Sequence, residues 1–88
     1  MMDEEYARWG QTREQLMIIR TEYHGPYTPL AIIGASGTTW IGFVTAHFTN
    51  EDGSLGGPVI VHNNNECASE ADALEDGRSF IEYLSNME

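Results

Sequence analysis

The last third of the chain has the clearest pattern of apolar and polar positions. Leu74, Gly77, Ile81 and Leu84 recur at steps of three, four and three residues. This spacing is typical of one face of an α-helix. The sequence therefore predicts an amphipathic helix over residues 70–86 that packs through these four positions.

The predicted helix begins at a capping motif and carries acid on its outer side. Ser69 and Asp72 form a capping-box pattern in which an acid replaces the usual Glu or Gln. Arg78 is the one basic residue of this segment, so its other charges are carboxylates. The residues that we expect to contact a partner through this acidic side are Glu70, Glu75, Asp76 and Glu82.

The middle of the chain has the composition of a sheet. Apolar and β-branched runs predict strands at residues 15–23, 30–35, 38–49 and 58–62, separated by segments rich in Gly, Pro, Asn and Asp. The predicted fold is therefore α+β: an antiparallel sheet of about four strands with one C-terminal helix packed on one face. We expect residues 1–88 to form a single domain.

The N-terminal 14 residues are polar and charged. Tyr6 and Trp9 lie three apart and Gly10 follows them. The segment is expected to be a short helical turn packed through its aromatic residues, or a frayed end.

The longest predicted strand carries no charge on either face. Alternation places Trp40, Gly42, Val44, Ala46 and Phe48 on one side. One helix covers only one side of such a sheet, so the N-terminal segment, another copy or a partner must cover the second. The second side predicts self-association, and its residues are Ile41, Phe43, Thr45 and His47.

Net charge limits the kinds of partner. The chain has 88 residues, 14 acids, four arginines and no lysine, and its formal charge is −10. Direct binding to nucleic acid is not expected, because phosphate contacts require Lys or Arg. The acidity either suits a protein partner with a basic surface or keeps a small protein soluble.

Cysteine content and targeting signals favour the cytoplasm. A single cysteine, Cys67, excludes an intrachain disulfide and suits a reducing compartment. The acidic start of the chain does not resemble a signal peptide, and no apolar run is long enough for a membrane span. We expect no membrane association.

Catalytic and metal-binding signals are weak. His24, His47, His62 and Cys67 show none of the short paired spacings of structural zinc sites, so no metal and no cofactor are predicted. Cys67 precedes the predicted helix, where a thiol pKa is lowered, but Glu66 and Glu70 oppose that effect. The glycine-containing turns lack phosphate-loop spacing.

Residues 68–84 resemble the helix that follows the sheet in small β-rich bacterial domains, including HicB-type antitoxins. Ser69, the Ala73–Leu74 pair, Ile81 and Leu84 carry this resemblance. The proline-glycine-cysteine signature of those antitoxins is not recognised in the predicted sheet. The resemblance implies a helix packed on a sheet and assigns no family.

These features predict a small acidic binding protein that is not an enzyme. It would occupy a basic or apolar surface of another macromolecule, as an inhibitor or antitoxin does, or as a phage-type mimic of nucleic acid. One alternative is a small-molecule or metal-assisted enzyme that uses His47, His62 and Cys67. A structural or assembly subunit is another.

Overall fold

A computed structural model describes residues 11–86 of the chain, which fold in the order helix, three strands, helix. The elements are α1 (Arg13–Glu22), β1 (Tyr23–Ile33), β2 (Trp40–Thr49), β3 (Leu55–Asn63) and α2 (Glu70–Asn86). The strands form one antiparallel sheet in the order β1-β2-β3. The α+β class and the C-terminal helix are confirmed, while the prediction of about four strands was wrong by one.

The segment that the sequence predicts as the first strand forms helix α1 instead. The sequence predicts a strand over residues 15–23, but all of them except Tyr23 are helical. Thr12 Oγ1 accepts a hydrogen bond from the Gln15 amide at 3.2 Å, and Gln15 Oε1 accepts one from the Thr12 amide at 2.8 Å. This capping box satisfies amides at the start of the helix, and the spacing of Leu16 and Ile19 then buries both on one side.

The first hairpin contains an irregularity where a break was predicted. Residues 24–29 lie inside β1, and its pairing with β2 shifts between His24 and Thr28, around a cis Gly25–Pro26 bond. Proline is tolerated there because β1 is an edge strand. The predicted turn at residues 36–37 is confirmed, and Gly37 supplies the positive φ of 78° that the turn requires.

The second hairpin has a shorter loop than predicted. The Asn50 amide donates to the Ser54 carbonyl at 2.8 Å, and the turn passes through Gly53 at a φ of 88°. Strand β3 therefore begins at Leu55, three residues before the predicted start at Pro58.

Helix α2 has the predicted bounds but a rotated packing face. Its cap is confirmed, because Ser69 Oγ accepts from the Asp72 amide at 3.1 Å. Leu74 and Ile81, predicted to lie at the centre of the contact, are only half-buried and flank it. The residues buried against the sheet are Ala73, Gly77, Phe80 and Leu84.

Gly77 allows α2 to approach the sheet closely. A Cβ atom at this position would lie 3.0 Å from Pro29 Cβ and 3.3 Å from Val44 Cγ2. Both distances are tighter than ordinary van der Waals contact. The missing side chain therefore sets the separation of helix and sheet.

Both helices pack on the same side of the sheet. Leu16 and Ile19 of α1 join Val44 of β2 and Phe80 and Leu84 of α2 in one buried cluster. Helix α1 therefore leaves the second face of the sheet uncovered. Residues 1–10, with Tyr6 and Trp9, lie outside the described residues.

Candidate interaction surfaces

The sheet face opposite the helices is formed by residues that lie across from one another on the three strands. Ile32 is paired with Ile41, Leu30 with Phe43, and Thr45 with Ile60. They alternate with Gly42, Val44 and Ala46, which are buried on the helix side. We define the open face as His24, Thr28, Leu30, Ile32, Ile41, Phe43, Thr45, His47, Pro58, Ile60 and Asn63.

The open face is rich in large apolar side chains, includes a few uncharged polar ones, and carries no formal charge. Its aliphatic side chains remain accessible, at 45% for Leu30, 52% for Ile32 and 62% for Ile60. None of its members is Asp, Glu, Lys or Arg. His47 uses its Nδ1 atom in a 3.0 Å contact with the Gly56 carbonyl oxygen. Ile41, Phe43, Thr45 and His47 thus share one face, as alternation predicts.

Acidic side chains lie on the other side of the molecule, along α2. Glu70, Glu75 and Glu82 are exposed, and Glu75 and Glu82 are separated by two helical turns, so they face the same way. Arg78 Nη1 lies 3.7 Å from Glu75 Oε2 in an exposed pair. Such a surface pair contributes little to stability and leaves the acidic character of this side in place.

Asp76 is not part of this exposed acidic side. Its side chain is 18% exposed, and its Oδ2 atom lies 3.1 Å from His62 Nε2 and 3.2 Å from Asn64 Nδ2. The prediction that grouped Asp76 with the other three acids is therefore corrected. Asp76 differs from the other three acids because it lies at the edge of the buried stripe of α2, next to Gly77.

Asn64 is the centre of a polar cluster between the sheet and α2. Its Oδ1 atom accepts from the Gly42 amide at 2.7 Å, while its Nδ2 atom donates to Asp76. The imidazole of His62 is buried and stacks on the ring of Phe80, with centroids 4.1 Å apart and an interplanar angle of 12°. The cluster connects β2, the end of β3 and α2.

Sequence reasoning missed this cluster because residues 63–65 have the composition of a simple loop. The one available signal was Gly42 in the middle of a strand, which often marks a close approach. A Cβ atom on Gly42 would lie 2.5 Å from Asn64 Nδ2 and 2.6 Å from the Ala73 carbonyl oxygen.

The three candidate residues for catalysis do not form a common site. His62 is paired with Val44 on the helix side, whereas His47 is paired with Pro58 on the open face. His47 and His62 are therefore not cross-strand neighbours. In residues 11–86, no three His, Cys, Asp or Glu side chains are grouped so that they could hold a metal ion.

Cys67 is held in place by its backbone. Its amide donates to the Trp40 carbonyl at 2.7 Å, and its carbonyl accepts from the Trp40 amide at 2.9 Å. Burial raises the pKa of the Cys67 thiol, and the carboxylates of Asp76 and Asp72 raise it further. This is the opposite of the shift that activates a nucleophilic cysteine.

Comparison with known proteins assigns no relationship: no family model, no curated protein and no solved structure matches this chain. Among residues 11–86, no helix is long and apolar enough to cross a bilayer.

Proposed function

We propose that the protein is a non-enzymatic binding protein that acts by occupying a surface of another macromolecule. The observation that supports this proposal is the separation of charge between its two sides. An uncharged apolar face lies on one side of the sheet, and exposed carboxylates lie on the helices of the other side. Exposed apolar faces of this kind are typical of interaction sites.

The acidic side fits a partner with a basic surface. Glu70, Glu75 and Glu82 are unobstructed, and Arg78 is the one cation on α2. Complementary charge speeds the encounter of two proteins and orients them. An inhibitor or antitoxin would act in this way, and so would an acidic mimic of nucleic acid that blocks a protein which handles DNA or RNA.

An enzyme that uses His47, His62 and Cys67 is the less favoured alternative. The two histidines lie on opposite faces of the sheet, and burial together with the carboxylates of Asp76 and Asp72 raises the pKa of the Cys67 thiol, which is opposite to the shift that activates a nucleophile. A structural or assembly subunit is the other alternative. Such a subunit would also make contacts through the open face, but it would not need the exposed acids of α2.

The experiment is capture of partners from the native host with tagged protein, followed by charge reversal on the captured complex. The test variant carries Glu75→Lys and Glu82→Lys. The control carries Glu22→Lys and Glu51→Lys, which change the net charge equally at exposed positions away from the outer side of α2.

We expect the α2 variant to weaken binding roughly tenfold or more and the control to change it far less, with most of the loss in the association rate and strong weakening by salt. Binding that is indifferent to salt and to the α2 reversal would exclude the acidic side as the contact.

A further inference from the structure

We propose that the open face is the interface of a homodimer, in which two copies stack sheet against sheet with their helices outside. This inference rests on the proposed function, since it assigns one of the two candidate surfaces to a second copy. The acidic sides then face outward on both copies and remain available to a different partner.

The distribution of charge favours the open face over the rest of the surface for contact with a second copy. Two molecules with a formal charge of −10 repel each other wherever their carboxylates meet. The open face carries no carboxylate, so on this side two copies can approach without placing like charges opposite one another. The open face offers a basic partner no carboxylate to pair with. A second copy presents an identical uncharged face that can pack against it.

The edges of the sheet are poor alternatives for pairing. Strand β1 contains Pro26 and Pro29, and β3 contains Pro58. Proline lacks the amide that an added strand needs, and natural sheets use it to block their edges. Because both edges carry proline, association through the face is favoured over extension of the sheet.

The size of the face fits a reversible dimer. Strands lie ~4.8 Å apart and rise ~3.4 Å per residue, so three strands of nine to eleven residues present roughly 450 Å² per copy. Two such faces bury about 900 Å², which is below the ~1,200 Å² of stable protein interfaces and within the range of weak, transient ones. We therefore expect a dimer that dissociates on dilution through the micromolar range.

A two-fold axis that runs parallel to β2, in the plane between the two faces, gives the arrangement a specific geometry. Phe43 lies on β2, with Leu30 beside it on one edge strand and Asn63 on the other. Such an axis above Phe43 places β2 of one copy over β2 of the other, and β1, with Leu30 and Ile32, over β3 of the other. Isologous contacts of this kind are the commonest symmetry of small oligomers.

Sedimentation equilibrium of the full chain over a range of micromolar concentrations tests the inference with a matched pair of variants. Ile32→Glu places a carboxylate on the open face. Ile18→Glu makes the same change on α1, at a side chain of equal exposure, 52% in both cases. Ile60→Glu, on the other edge strand, provides a second open-face variant, and circular dichroism confirms that each variant is folded.

We expect a wild-type dimer that Ile32→Glu and Ile60→Glu weaken roughly 100-fold or more, because like charges then face each other, while Ile18→Glu weakens it less than about threefold. A wild type that stays monomeric at high micromolar concentration would overturn the inference. So would a dimer that only Ile18→Glu disrupts.

One further outcome would also overturn the inference. The wild type would be a monomer, and replacing Tyr6 and Trp9 by serine would make it a dimer. That result would mean that the N-terminal segment, and not a second copy, covers the open face of the wild type.

Failure of the dimer is distinguishable from failure of the proposed function. A monomer whose partner binding still depends on Glu75 and Glu82 contradicts only the dimer, and a dimer without partner binding contradicts only the proposed function.

Discussion

The Gly42 amide donates to Asn64 Oδ1 at 2.7 Å, which joins the central strand to the segment that leads into α2. The same asparagine donates to Asp76, so one side chain satisfies polar groups on two elements. Backbone amides at such half-buried positions are costly to leave without a partner. Asn64 therefore has a structural role that its neighbours in the run of three asparagines lack.

Asn64→Ala should lower the free energy of unfolding by about 1–3 kcal/mol, because the Gly42 amide and Asp76 each lose a hydrogen-bonding partner. Chemical denaturation measures the change. Asn65→Ala is the matched control, since the side chain of Asn65 is exposed, and it should stay within about 0.5 kcal/mol of wild type. Equal effects of the two substitutions would show that the Asn64 contacts contribute nothing.

Phe80→Ala should destabilise the protein by about 3–5 kcal/mol, since Phe80 is fully buried between α2 and the sheet. Leu74→Ala should cost distinctly less, because Leu74 is only half-buried at the flank of the helix. Thermal or chemical denaturation of both variants gives the order. If Leu74→Ala were the more damaging, the rotated packing face described for α2 would be wrong.

The pH dependence of Cys67 alkylation should reflect its raised pKa. Only the thiolate reacts, so the midpoint of the rate profile with iodoacetamide should lie at higher pH than for cysteine in a short peptide. Asp72→Asn removes one of the carboxylates that raise the pKa and should move the midpoint to lower pH. A midpoint below that of the peptide would instead support the catalytic alternative.

The parts of the fold that follow from local patterns could be predicted from the sequence. Helix α2 has a long stripe of apolar residues and an N-terminal cap. The two hairpin turns have glycines at the positions that need positive φ. The sequence therefore predicts where this helix and these turns lie. Leu16 to Ile19 form four consecutive apolar residues, which fit a strand or a helix equally well. The capping box of Thr12 and Gln15 decides for the helix.

Contacts between distant segments could not be read from the sequence in the same way. The hydrogen bond between Gly42 and Asn64 and the inward orientation of Asp76 depend on how α2 is rotated on the sheet. The β2 residues of the open face, in contrast, follow from simple alternation along that strand. The side of the sheet that the helices cover is shown by the buried cluster of Leu16, Val44 and Phe80, which no local pattern predicts.

The central claim is that the open face is buried between two copies, and the most direct measurement is an isotope-filtered nuclear Overhauser experiment on a mixture of labelled and unlabelled protein. It detects only contacts between different copies. We predict contacts from the Phe43 ring to methyl groups of Leu30, Ile32 or Ile60 of the other copy, because these side chains lie on the same uncharged face. At a concentration where sedimentation shows a dimer, intermolecular contacts confined to the helices or to the strand edges would contradict the account.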